Sequence, residues 1–334
     1  MVGYGEALAD PTGLDAPHAR VKQIGRAGNA NKTIIPADHS LAHVQDMRGS
    51  NFSRSTNHAM VKNGTYDWNA YGGTVGAGQW IGKNLLPYLP PNVGILLVPA
   101  ARGGSGFTTG IDNAYIVGGS NPTTAYLDAG GNGTSNGTWT KWGVSGGVST
   151  NEGRKTGLYL DMRERIKWAL DQNPKNVFAG VIWAQGEADR NNHSEHKTKF
   201  EAQVSTFASD LNVSYAGRCL NGDCARTPWV AGDTTVYWKN ANLTGYAEIY
   251  QRTYKNSPLS NVSLVEYMYQ ADGETPTHMN NFNEYSVNNL TGADGRTSSS
   301  RQTHFGSEAL RGPIALKLAD GFRVATKKAV RVGD

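Results

Sequence analysis

The chain has 334 residues, 38% of them hydrophobic, with 41 glycines and a net charge of +4. That length can bury a substantial core as one large domain or two ordinary ones, and so much glycine favours turns and long loops over a helical bundle. The positive charge is small and dispersed, with no basic run denser than Lys327, Lys328 and Arg331, which argues against a nucleic-acid partner. No run of about 18 apolar residues is present to span a bilayer, and the first residues carry no signal-peptide pattern.

In chain order, residues 16–90 hold few apolar runs and much Asn, Gly and His, and read as a long insertion. Val93–Pro99 has the length and composition of a buried parallel strand. It empties into Ala100-Ala101-Arg102-Gly103-Gly104-Ser105-Gly106. Residues 108–150, rich in Gly, Asn and Thr, read as a second insertion. Leu158, Met162, Ile166, Ala169 and Leu170 recur at helical spacing between Gly157 and Pro174. The run Val177–Trp183 is a second strand, ending abruptly in Ala184-Gln185-Gly186-Glu187-Ala188-Asp189. Phe200, Val204, Phe207 and Leu211 mark a second helix, and Trp229–Gly232 and Val262–Val265 are further strands. Thr303-His304-Phe305 precedes a helical pattern over 307–328 that Gly312-Pro313 should break.

Alternating helices and strands predict a parallel sheet covered on both faces, an α/β domain of three α/β/α layers. No linker, internal repeat or low-complexity segment divides the chain, so 1–334 reads as a single domain. Open α/β sheets bind ligands outside the carboxyl ends of their strands. The Gly-Gly turn after Pro99 and the Gln-Gly-Glu segment after Trp183 both fall there.

These segments carry a resemblance. Met1-Val2-Gly3-Tyr4-Gly5-Glu6, Val98-Pro99-Ala100-Ala101-Arg102-Gly103-Gly104-Ser105-Gly106-Phe107, Trp183 to Asp189, and His304-Phe305-Gly306-Ser307-Glu308-Ala309-Leu310-Arg311 span nearly the whole chain. Together the chain resembles the sialate O-acetylesterase-like branch of the SGNH hydrolases, of the carbohydrate esterase family 6 type, and most closely the versions on bacteriophage tail proteins. The resemblance implies removal of O-acetyl groups from a surface polysaccharide by Ser/His acyl transfer, with no cofactor or metal. It also implies a place on the virion tail, where a homotrimer is one assembly to expect. It makes His304 the general base, and the Gly104 amide and Gln185 Nε2 the oxyanion donors. Arg102, Ser105 and Asp189 become substrate contacts. The position three residues before His304 is Arg301, where many SGNH enzymes have the Asp that orients the base, so either Glu187 or Asp189 is the orienter or the site works as a Ser–His dyad without one.

In that family the nucleophile lies in a Gly-Gln-Ser-Asn-Met motif after the first strand. Here Val2-Gly3-Tyr4-Gly5 match the residues immediately after that motif. The expectation is a serine-bearing strand beside Val93–Pro99, supplied by a cleaved N-terminal segment or a companion chain. The alternative is a glycan-binding module that has lost its nucleophile.

Other residues have rival readings. Ser145 in Gly143-Val144-Ser145-Gly146-Gly147 formally matches Gly-x-Ser-x-Gly, but its flanks are neither strand nor helix start. Ser105 lies at a strand end, beside the glycine required for the oxyanion hole. Glu187 and Asp189, two residues apart at a strand end, should diverge rather than face each other across a sugar. Asp38, His39, His43 and Asp46, like His193 and His196, have metal-like spacing without three convergent ligands and read as solvated or loop-bonding side chains. Cys219 and Cys224 are either reduced thiols in a turn or a local disulfide. Tyr237, Trp238 and other aromatics in polar stretches are either loop anchors or faces for sugar stacking.

Overall fold

A computed structural model describes residues 13–25, 32–38, 61–62, 65–66, 76–101, 106–107, 157–191, 193–266, 305 and 307–331. Strand β1 (Val21–Ile24) pairs antiparallel with β2 (Ile34–Pro36). A small hairpin joins β3 (Val61–Lys62) to β4 (Thr65–Tyr66). Helix α1 (Ala77–Leu85) follows, and then β5 (Ile95–Leu97), parallel to β1 with Val21 opposite Ile95. In the order β2-β1-β5, β1 occupies one of the two edges of β5 at which a serine-bearing strand could pair.

Helix α2 (Gly157–Asp171) leads to β6 (Val181–Trp183), and α3 (His196–Tyr215) to β7 (Trp229–Gly232). Two short helices, α4 (Val236–Ala241) and α5 (Leu243–Tyr246), run into a π-helical stretch, Ala247–Lys255, before β8 (Val262–Val265). Helices α6 (Ser307–Arg311) and α7 (Pro313–Arg331) close the described chain. Strands β6, β7 and β8 form a parallel sheet in sequence order, with Trp183 opposite Ala231 and Ala231 opposite Leu264.

Side chains alternate across this sheet because strand periodicity is two. Trp183, Trp229 and Ala231 face a core built with Phe200, Val204, Phe207 and Leu211 of α3 and with Ile249, Tyr250 and Tyr254. Ile182 and Val265 face the other way, against α1, α6 and α7 through Ile81, Leu310, Ile314 and Leu318. The result is three layers, α/β/α, as the alternating pattern predicts.

Three elements differ from expectation. First, residues 16–90 are not all insertion: Val21 and Ile24 are fully buried and α1 packs in the core. Helix α1 lies close over β1 because Gly82 has no side chain, and a β-carbon there would sit 2.7 Å from Val21 Cγ1. Second, Val177–Trp183 is strand only from Val181. Gly180 has φ +152°, a conformation that favours glycine, and Val177 is exposed. Third, Cys219 and Cys224 are disulfide-bonded. The break at Gly312-Pro313 is where the proline predicts, with Pro313 opening α7.

Helices α1 and α6, which share one layer, are tied together by a buried carboxylate. Asp15, 1% exposed, accepts from Gln79 Nε2 at 3.0 Å and Trp80 Nε1 at 3.1 Å on α1, and from Arg311 Nη2 at 2.7 Å on α6. Replacing Asp15 with Ala leaves a half-buried guanidinium and two further donors without their acceptor. The expected cost is about 3–5 kcal/mol, the range for removing one partner of a buried ion pair. Denaturant unfolding should show it as a lower midpoint, and a loss within about 0.5 kcal/mol, the range of an ordinary surface substitution, would contradict this assignment.

Candidate active site

Gln185 lies two residues beyond the end of β6, at the carboxyl end of the parallel sheet. Gly186, with φ +153°, turns the chain there, and Tyr250 Oη sits where a β-carbon would go. The turn feeds a short 3-10 segment, Glu187–Asp189. This geometry sends Asp189 inward and Glu187 toward β7.

Asp189 has no exposed surface. Its Oδ1 and Oδ2 accept from the Phe107 amide at 3.0 and 2.9 Å. Oδ2 also accepts from Gln185 Nε2 at 2.7 Å and lies 2.9 Å from His196 Nδ1. Burial alone would raise this carboxyl's pKa. Hydrogen bonds from His196, the Phe107 amide and Gln185 outweigh that and hold it at about 2. An ionised carboxylate only accepts, so His196 Nδ1 carries the hydrogen between them. His196 Nε2 lies 2.8 Å from Tyr254 Oη, and that hydroxyl donates to the Gln185 carbonyl at 2.7 Å. Phe107 and Phe200 close around the imidazole, at 5.1 Å edge-on and 6.4 Å stacked.

Glu187 belongs to a second group of contacts on the same edge. Its Oε1 accepts from Thr234 Oγ1 at 2.8 Å, just beyond β7. Neighbouring Asp233 is buried, accepting from the Thr234 amide at 2.8 Å and from Tyr246 Oη at 3.4 Å. Arg190 Nη1 donates to the Glu187 carbonyl at 2.8 Å, and its guanidinium lies 4.5 Å from the centroid of the Trp238 ring. Tyr237 packs edge-on to Trp238 and is partly exposed.

The structure brings Gln185, Glu187 and Asp189 to the sheet edge where the sequence pattern puts them. Asp189 itself is fully buried there and met by three donor groups, the Phe107 amide, Gln185 Nε2 and His196 Nδ1. The two carboxylates do diverge, Asp189 to Phe107 and His196, Glu187 to Thr234. His304, Gly104, Arg102 and Ser105 lie outside the described residues, as do Ser145, His39, His43 and Asp46. Phe305, next to His304, packs on the α1–α6–α7 side with Ile182 and Val265. His196 is neither solvated nor in a loop but sits buried at the start of α3. Sequence reasoning noticed His196 only for its spacing from His193 and missed its partners, and it missed Tyr254 and Thr234 altogether, because what matters for all three is a tertiary contact. Among the described residues no group of three His, Cys, Asp or Glu is placed to hold a metal.

A parallel sheet in three layers, with a polar network gathered at its carboxyl edge, defines an α/β protein whose site lies where such sheets bind ligands. No protein-family model matches the chain. A curated relative from Escherichia coli (strain K12), described as a probable 9-O-acetyl-N-acetylneuraminic acid deacetylase, is 33% identical over 331 residues, 94% of this chain and 89% of that protein. The crystal structure of NanS superposes with a TM-score of 0.69 at 30% identity, covering 98% of this chain and 94% of that one. A solved protein of Arabidopsis thaliana, 13% identical with a TM-score of 0.50 and coverage of 97% and 93%, shares the fold. The chain belongs to the sialate O-acetylesterase family that includes the Escherichia coli deacetylase. Its class of chemistry is ester hydrolysis, in general the O-deacetylation of carbohydrate.

Burial drives the Asp233 carboxyl up to about 7 against the opposing pull of the Thr234 amide and Tyr246 hydroxyl. An unfolded Asp ionises near 3.9, so between about pH 4 and 7 the folded state holds a proton the unfolded state has released. Stability therefore falls as pH rises through that window, and the full penalty stands above it. Asp233→Asn, which keeps an acceptor for the Thr234 amide, should gain melting temperature relative to wild type on going from pH 5 to pH 8. An equal difference at both pH values would contradict the buried, proton-holding role.

Proposed function

We propose that the protein removes O-acetyl groups from an acidic sugar of the sialate kind, carried in a bacterial surface polysaccharide. The route is acyl transfer to a serine followed by hydrolysis of the ester. The observation that carries this reading is the junction of Gln185 with Gly106 and Phe107, at the end of the glycine-rich segment. Asp189 binds the Gln185 amide and the Phe107 amide together, although Phe107 and Asp189 are 82 positions apart. The two segments to which the family resemblance gives the oxyanion donors thus meet at one carboxylate. Further support comes from the relative's described substrate, an O-acetylated sialic acid.

In this reading the nucleophile belongs to the Gly-Gln-Ser-Asn element, on a preceding or companion segment. His304 takes its proton and returns it to the leaving sugar hydroxyl. The Gly104 amide and the second hydrogen of Gln185 Nε2 meet the oxyanion, and Glu187 is a candidate orienter of the base. Arg102 and Ser105 are assigned to the sugar. Arg190 over Trp238 supplies a cation and an aromatic face on the same edge, suited to a carboxylated ring. The setting proposed is a phage tail, outside the host cell, with a trimer as the assembly.

The test is acetate release from 9-O-acetyl-N-acetylneuraminic acid by a polypeptide that includes the Gly-Gln-Ser-Asn element. Wild type should release acetate. Gln185→Ala should lower kcat by about 10²–10³, the cost of one oxyanion donor, and His304→Ala by at least as much. Binding of the O-acetylated sugar without acetate release would overturn the esterase reading in favour of a glycan-binding module. Arg190→Ala should raise KM for the sialate about tenfold while leaving hydrolysis of an uncharged acetyl ester unchanged. Equal effects on both substrates would remove Arg190 from sugar recognition.

A further inference from the structure

We propose that Asp189, backed by His196 and Tyr254, is the positioning element that fixes Gln185, the side-chain oxyanion donor, against Gly106 and Phe107 through one buried carboxylate; this rests on the esterase reading above. Both carboxylate oxygens are aimed at the Phe107 amide, three residues after Gly104, and Oδ2 also takes Gln185 Nε2. Hydrogen bonds to an ionised acceptor are about twice as strong as neutral ones, so the end of the glycine turn and the glutamine amide are fixed relative to each other.

The backbone is shaped for this approach. A β-carbon at Gly106 would run into Asp189 Oδ1, so only glycine lets the turn come this close. The opposite side of the carboxylate is braced. His196 Nδ1 stands against Oδ2, and His196 Nε2 against Tyr254 Oη. Tyr254 returns its hydrogen to the carbonyl of Gln185. The side-chain amide of Gln185 and its own backbone are therefore held by two arms of one network. Phe107 and Phe200 exclude water from it.

A merely structural role accounts less well for these facts. Apolar residues of similar volume stabilise a core about as well as a buried ion pair does, often better, so packing alone does not call for a charge here. A preorganised oxyanion hole does need one. Its donors must be fixed before charge develops, and a misplacement of about 1 Å can cost about 10²-fold in rate. Asp189 acts through Gln185 and the turn and touches no substrate.

The experiment compares Asp189→Asn with wild type in the full esterase, serine element included. It measures kcat and KM for acetate release, and Ki for methylboronic acid. The serine oxygen adds to the trigonal boron to give a tetrahedral boronate, which mimics the oxyanion. In Asp189→Asn, kcat should fall by about 30-fold or more and Ki should rise by a similar factor, with KM within about 3-fold, because only transition-state binding is lost. An unchanged kcat in the folded variant, or KM rising as far as Ki, overturns the proposal. Should Asp189→Asn fail to fold, Tyr254→Phe keeps the ring packing and removes only the hydroxyl. It should lower kcat about 5-fold at constant KM, and an unchanged kcat overturns the proposal. Wild-type acetate release tests the esterase reading separately, since the positioning claim concerns only the ratio of variant to wild type.

Discussion

A carboxylate with no surface in water is tolerated only when its lone pairs are met by well-placed donors. Asp189 satisfies that condition with groups drawn from three parts of the chain: the amide of Phe107, the side chain of Gln185 and the ring of His196. Desolvation and hydrogen bonding oppose each other there, and hydrogen bonding wins, which keeps the group ionised down to about pH 2. Much of the fold serves as the scaffold for this one meeting. Strand β6 delivers Gln185, α3 delivers His196, the π-helical stretch delivers Tyr254, and Gly106 admits the carboxylate.

The layers place this network because each strand has an apolar residue for each face. Trp183 and Trp229 anchor the α3 side, while Ile182 and Val265 anchor the side of α1, α6 and α7. The backbone then has to leave the sheet at its carboxyl edge, and polar side chains gather where it does so. Asp189 and Asp233 stand on that edge with opposite electrostatic outcomes. Hydrogen bonds prevail at the first and hold it charged, whereas burial prevails at the second and pushes its carboxyl up to about 7. Next to α1, Asp15 ties the N-terminal loop to Arg311 on α6, the helix just after the segment carrying His304.

Strands β5, β6, β7 and β8 were legible because buried parallel strands are short, nearly unbroken apolar runs. Strand β1 was not, since Lys22 and Gln23 interrupt its two core residues, Val21 and Ile24. Helix α1 was hidden by Gly78 and Gly82, poor helix formers, of which Gly82 sits where the helix lies close over β1. The site was legible in part. Gln185 could be placed because it follows a strand, and Glu187 and Asp189 could be predicted to diverge from their spacing. That Asp189 turns inward depends on Gly186 at φ +153° and on a partner 82 positions away, and no local pattern encodes that. His196 and Tyr254 were unreadable for the same reason: their meaning lies in the tertiary contact.

One buried carboxylate locks the end of the glycine turn to the Gln185 segment, and on that lock the rest of the account depends. Native-state hydrogen exchange at the Phe107 amide tests it most directly, because a residue in an ordinary loop exchanges through small local openings while one locked into the core exchanges only through large ones. The account predicts that the Phe107 amide is protected to the same level as the amides of β6 and β7, and that Asp189→Asn removes this protection while theirs remains. Rapid exchange at Phe107 in the wild-type protein, at the rate of an exposed loop, would contradict it.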